Sequence, residues 1–158
     1  MGWAQFTALV LSVLGLVDSG YQTFTKLSGT GLAGCSASGD PCVLDQNSPQ
    51  AYIFGIPFAV FGLVFYVFMV AICLPLAWRS ARPLVRRVRL AAVVVGMVFV
   101  LYLIYVELVE LGHLCPYCTS VHIITFLLFS VIVYQATASG PQRQAVRSRG
   151  EPGSARRR

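Results

Sequence analysis

Charge is what this chain has least of. Only 11% of its 158 residues are charged, against about 25% in an average soluble domain. That shortage excludes an ordinary soluble domain. Lysine is almost missing: of twelve cations only Lys26 is a lysine, and the rest are arginine. Acidic residues number six, which leaves a net charge of +6. A positive balance raises the question of nucleic acid, but the arginines fall in two short segments. One holds Arg79, Arg82, Arg86, Arg87 and Arg89; the other holds Arg143, Arg147, Arg149, Arg156, Arg157 and Arg158. A nucleic-acid groove needs cations spread across one structured face, and this chain has none so spread. What is abundant is apolar: 56% of residues are hydrophobic. The chain reads as an integral membrane protein of one domain, with no nucleic-acid partner.

A helix crossing the hydrocarbon core needs roughly 20 apolar residues. Four stretches qualify: about 3–27, 54–78, 90–112 and 115–138. The first has no Lys or Arg before its apolar run and no small-x-small cleavage site, so it reads as a retained helix and not a signal peptide. The expected fold is all-α: an integral membrane four-helix bundle over residues 1–138, with an outer loop carrying a cysteine pair. Residues 139–158, rich in Arg, Gly, Ser and Pro, read as a basic disordered tail.

Cytoplasmic loops are enriched in Lys and Arg. The first arginine segment joins spans two and three, and the second follows span four. Two spans separate them, so both fall on one side. The sequence thus predicts a multi-pass plasma-membrane protein with both termini cytoplasmic. The loop at about 28–53 then lies outside. Its glycines and prolines mark irregular backbone, and Ser48-Pro49 reads as an N-cap and first helical residue leading into span two.

This topology sorts the cysteines. Cys35 and Cys42 lie in the outer loop, and Cys115 and Cys118 lie at the outer start of span four. Cys73, in span two toward the inner leaflet, reads as a small buried apolar residue. Four thiols on the outer face sit where disulfides persist. In Cys115-Pro116-Tyr117-Cys118, Cys115 as N-cap puts Pro116 at the first helical position. The positive end of the helix then faces the pair and favours thiolate chemistry. Two other readings stay open: an inert structural disulfide, and a metal site of four thiols with His113, for which the Cys35–Cys42 spacing is long. The loop pair, with six residues between its cysteines, is able to close its own disulfide or to carry a thiol toward Cys115 and Cys118.

A disulfide relay that ends in a membrane needs an electron sink, and a lipid-soluble quinone enters from the bilayer. Phe54, Phe58, Phe61, Tyr102, Tyr105 and Tyr117 are candidate ring contacts; each also suits packing or the interfacial aromatic belt. His122 lies four residues after Cys118, on the same helix face, and an intramembrane His is a functional candidate. It is placed to donate a hydrogen bond or proton to a quinone oxygen. Glu107 and Asp18 are further intramembrane acids without an assigned role.

The outer cysteine pair, Ser48 six residues beyond it, Phe54-Gly55-Ile56-Pro57, the run Leu101–Tyr105 and the terminal Cys115–Cys118 motif together resemble the vitamin K epoxide reductase family, in its bacterial branch. The likeness spans about residues 4–137. It implies a four-helix bundle around a quinone of menaquinone or ubiquinone type, and no metal. It implies that Cys118 reduces the quinone and that Cys115 exchanges with Cys42. Cys35 would take electrons from a separate thioredoxin-like extracytoplasmic protein. Ser48 would sit near the catalytic pair, Phe58 would face the ring, and Phe54, Leu103, Leu111 and His122 would complete the quinone site. Some positions depart from the vertebrate pattern. Ala51 stands where those members have a quinone-binding Asn, and His122 where they have a Tyr. The loop pair is one residue closer. Epoxide reduction is therefore not implied. The expected function is a quinone-dependent thiol oxidase supporting disulfide formation; the alternative is a non-enzymatic membrane scaffold or metal-binding protein.

Overall fold

The computed structural model describes residues 2–35, 42, 47–79, 83–112 and 114–149; at 50, 78, 79, 111 and 139–149 it describes the backbone alone. Helix α1, Trp3–Ser28, runs 26 residues and ends on Gly29 in the left-handed region, φ 69°, a conformation that costs glycine little. At 1.5 Å per residue it is about 39 Å long, enough to cross a bilayer core. One face carries Ala4, Ala8, Ser12, Gly15 and Ser19, all buried. Small residues at this spacing let transmembrane helices approach closely. The Tyr66 ring occupies the space that a Cβ on Gly15 would need, so α1 and its neighbour interlock there.

That neighbour is α2, Phe58–Cys73, entered through a two-stranded hairpin of β1 (Tyr52–Ile53) and β2 (Ile56–Pro57). Tyr52 pairs with Pro57 and Ile53 with Ile56. Phe54 and Gly55 form the tip, both with positive φ, 53° and 80°, as a tight turn of this hand requires. The helix stops where Pro75 follows Leu74. Proline lacks an N–H and forces the preceding residue extended, and Leu74 has ψ 146°. A short helix α3, Pro75–Arg79, follows. The Ile72 carbonyl, near the broken end, accepts hydrogen bonds from Arg89 Nη2 at 2.6 Å and Nε at 3.2 Å. A cation at a helix C-terminus also suits the dipole.

Helix α4, Pro83–Tyr105, continues as a π-helical turn, Val106–Leu111, closed by Gly112 at φ 71°. Helix α5, Pro116–Arg149, completes the bundle. α1 packs along α2 and α5, and α4 packs along α5, whereas α2 and α4 touch only sparingly. The core gathers Ala8, Tyr66, Met69, Cys73, Val93, Leu128 and Ile132, so Cys73 is a packing residue as expected. Leu14, Val17, Val98 and Phe126 point outward, each more than half exposed. Apolar faces of this extent suit lipid. Three helices, Trp3–Ser28, Pro83–Glu110 and Pro116–Ala138, are long and apolar enough to cross a membrane, and Phe58–Cys73 is a shorter apolar one.

The boundaries differ from expectation in places. Residues 54–57 belong to the hairpin and not to the second span, because Gly55 and Pro57 break helical geometry. That span is also divided at Pro75. The third helix starts seven residues before the expected 90, at Pro83; arginine is a good helix former, so the polar segment extends the helix instead of delaying it. Ser48 and Pro49 do open a helical turn, but a three-residue 3-10 turn, Pro49–Ala51, ahead of the hairpin. Beyond 138 the helical backbone continues to Arg149 where disorder is expected, across competent helix formers such as Gln142, Gln144 and Ala145. Residues 150–158 lie outside the described set, as does His113.

Candidate redox site

The two cysteine pairs meet at one end of the bundle. Cys35 and Cys42 are joined by a disulfide with Cα atoms 6.0 Å apart. Cys115 and Cys118 are not part of that disulfide. Cys115 has no exposed surface and packs with Leu32, Cys35 and Cys42, while Cys118 borders the same cluster. The four residues singled out by the sequence are therefore brought together. Cys115 immediately precedes Pro116, the first residue of α5. Its carbonyl accepts the first helical bond, from Thr119 N at 2.9 Å, so the N-cap assignment made from sequence agrees with the backbone.

Cys118 stands one turn deeper and lines a cavity of about 290 Å³ between α2 and α4. The cavity wall is mostly apolar. α2 supplies Phe58, Phe61, Gly62, Phe65 and Tyr66; α4 supplies Val95, Gly96, Phe99, Val100 and Leu103; α5 supplies Cys118, Val121, His122 and Thr125. The Phe58 ring meets Phe99 edge-on, centroids 5.7 Å apart and planes at 78°. Gly96 makes room: a Cβ there would lie 2.6 Å from the Phe65 ring.

Of the sequence-named quinone contacts, Ser48, Phe58, Leu103 and His122 line this cavity. Phe54 does not. It sits at the hairpin tip, fully exposed, because the turn points its side chain away from the bundle. The Leu111 side chain lies outside the described residues. His122 is buried and shares the Cys118 face of α5, as i and i+4 residues do. Ala51 also lines the cavity and brings no hydrogen-bonding side chain.

The structure adds polar groups that the sequence reading left out or unassigned. Glu107, 3% exposed, lines the cavity from the π-helical turn, while Glu110 in the same turn is exposed. A π-turn shifts the helix register, and such turns recur at functional sites. From α1 come Ser19, Gln22 and Lys26. Gln22 Nε2 donates to Asp18 Oδ1 at 3.2 Å and to the Tyr117 carbonyl at 3.2 Å. Cys118 Sγ donates to Gln22 Oε1 at 4.0 Å, and the Ser120 hydroxyl donates to Asp18 Oδ2. Asp18 and Gln22 are spaced i, i+4 within an apolar helix. That pattern was visible in the sequence and is the signal that would have found Gln22. Among the described residues no group of three or more His, Cys, Asp or Glu side chains is arranged to hold a metal ion.

Two adjoining cysteine pairs, one of them bordering an apolar cavity inside a helical membrane bundle, define the class: a membrane oxidoreductase working through thiols and disulfides. The chain belongs to the vitamin K epoxide reductase family, whose sequence model matches residues 6–133. No curated protein matches the chain.

Proposed function

We propose that this protein is a quinone-dependent thiol oxidase that regenerates the disulfide of a separate thioredoxin-like protein outside the cytoplasm. The observation that carries the reading is the placement of Cys115 against the loop disulfide while Cys118 borders the apolar cavity. One pair faces a protein partner and the other faces a site suited to a lipid-soluble ring.

The partner's dithiol reduces Cys35–Cys42 and leaves as a disulfide, so two electrons and two protons enter the loop pair. Cys42 then attacks Cys115 of a Cys115–Cys118 disulfide, and Cys35 resolves the mixed disulfide, which re-forms Cys35–Cys42 and frees both helix thiols. These thiols close to a disulfide as the quinone gains two electrons and two protons to become a quinol. Phe58, Phe61 and Phe99 pack on the ring, and His122 donates to a quinone oxygen. The quinone is of menaquinone or ubiquinone type.

The arginine segments around 79–89 and 143–158 support a plasma-membrane topology with both termini cytoplasmic. That arrangement puts all four active cysteines on the outer, oxidising side. The test is direct. Purified protein is given a reduced thioredoxin-like protein and a quinone, and quinone absorbance is followed. Turnover is expected in the intact protein and absent from a Cys115→Ala/Cys118→Ala double variant. Turnover persisting in the double variant refutes the reading. Four free thiols with a stoichiometric bound ion would instead indicate the metal-binding alternative.

A further inference from the structure

Gln22 stands out because its orientation is dictated from two sides. It is 7% exposed, lies on α1 and lines the cavity beside Cys118. A glutamine amide offers one donor end and one acceptor end. Here the donor end is committed: Nε2 meets Asp18 Oδ1 and the Tyr117 carbonyl, each at 3.2 Å. A peptide carbonyl only accepts, so the amide cannot be reversed without setting two oxygens against each other. Oε1 must therefore face Cys118, whose Sγ lies 4.0 Å away as donor. Asp18 is itself fixed, because the Ser120 hydroxyl donates to Oδ2. Asp18, Gln22 and the first turn of α5 form a bracket from α1 to the reactive helix, and Cys118 is its only thiol.

We propose that Gln22, held by Asp18, is a positioning residue that keeps the reduced Cys118 thiol turned to the cavity. Cys118 has two destinations: toward Cys115, to close a disulfide, or toward the cavity. A fixed acceptor on the α1 side holds the thiol in the second orientation until an oxidant arrives, and Asp18 acts only through Gln22. This inference rests on the functional reading above for the identity of the oxidant, though not for the geometry.

The test uses the full-length protein with Gln22→Met, Asp18→Asn and the double substitution. Methionine keeps the length and apolar character while removing the amide. In dithiol-reduced protein without quinone, the rates of maleimide labelling of Cys118 and Cys115 are compared by mass spectrometry of their peptides. Gln22→Met is expected to change the Cys118 to Cys115 ratio by about fivefold, the scale of one lost hydrogen bond. Asp18→Asn is expected to change it less, and to add nothing once Gln22 is gone. In turnover, Gln22→Met is expected to lower kcat by about fivefold with quinone KM within about twofold. An unchanged labelling ratio overturns the proposal, as does an Asp18→Asn effect that adds in full to Gln22→Met. Helical content and melting check that each variant folds; if Gln22→Met does not, Asp18→Asn alone carries the labelling test. Failure of the wild type to reduce quinone would count against the enzymatic reading, while the labelling ratio would still decide the role of Gln22.

Discussion

Two cavities lie side by side at one end of the bundle, and their linings differ. They are of similar size, about 240 and 290 Å³, so the lining and not the room distinguishes them. The smaller is walled by Thr25, Lys26, Gly29, Gly31, Leu32, Asn47 and the Cys35–Cys42 disulfide. Its glycines expose backbone and its side chains hydrogen-bond, with Lys26 Nζ reaching Asn47 Oδ1 at 3.0 Å. The larger is walled by aromatic and branched side chains with few polar groups. Lys26 borders both, and Cys115 packs against the loop disulfide that lines the smaller. A protein dithiol needs access to a disulfide from water, whereas a quinone ring gains from leaving water.

The comparison breaks most completely if each compartment is disabled in turn. Cys35→Ala is expected to abolish oxidation of the protein partner while a small dithiol still drives quinone reduction through Cys115 and Cys118. Cys118→Ala is expected to abolish quinone reduction with either donor. In Cys35→Ala without a dithiol the resolving thiol is missing, so a Cys42–Cys115 link should accumulate and be visible by mass spectrometry without reduction. If the small dithiol failed in Cys35→Ala as completely as the partner does, the two pairs would not be separable steps.

Within the apolar cavity the next largest effect belongs to His122. His122→Ala is expected to slow quinone turnover by about tenfold or more, the scale of one hydrogen bond to a developing charge, while loop disulfide formation proceeds at the wild-type rate. Equal slowing of both steps would remove His122 from the quinone site. Gly96 comes after it. A Cβ there would press on the Phe65 ring at 2.6 Å, so Gly96→Ala should push the ring into the cavity. Quinone KM is expected to rise by about threefold with kcat little changed, the cost of modest overpacking. An unchanged KM would mean that the ring does not occupy this part of the cavity.

Much of this arrangement was legible in the sequence, and the reasons are physical. Cys118 and His122 sit on one regular helix, where spacing fixes the face; Pro116 fixes where that helix starts, directly after Cys115. Cys35 and Cys42 were expected on the same side as them from the placement of the two arginine segments along the sequence. What spacing did not reveal is geometry created by irregular backbone. The hairpin at 52–57 turns Phe54 outward, and the π-turn at 106–111 turns Glu107 inward. Both depart from the straight helices assumed over those residues. Gln22 was missed for another reason: its role depends on α1 meeting the first turn of α5, a tertiary contact between Gln22 and the Tyr117 carbonyl.

The smallest effect sharpens the boundary of the cavity. Phe54 has φ 53°, a region in which a bulky residue is strained and asparagine is at ease. Next to Gly55, the substitution Phe54→Asn creates the Asn-Gly pair preferred in two-residue hairpins. Turnover and quinone KM should stay within about twofold, because loss of a side chain that does not touch the ring changes neither step. Thermal stability in detergent should rise slightly, by a few tenths of a kcal/mol, on the scale of relieving a left-handed residue. The same side chain is an exposed aromatic at a hairpin tip beside the bundle, a place where aromatic rings anchor to lipid headgroups. Reconstitution into vesicles therefore gives a second reading. Weaker retention in the bilayer with unchanged KM assigns Phe54 to the membrane surface, and a KM raised by tenfold would return it to the quinone site.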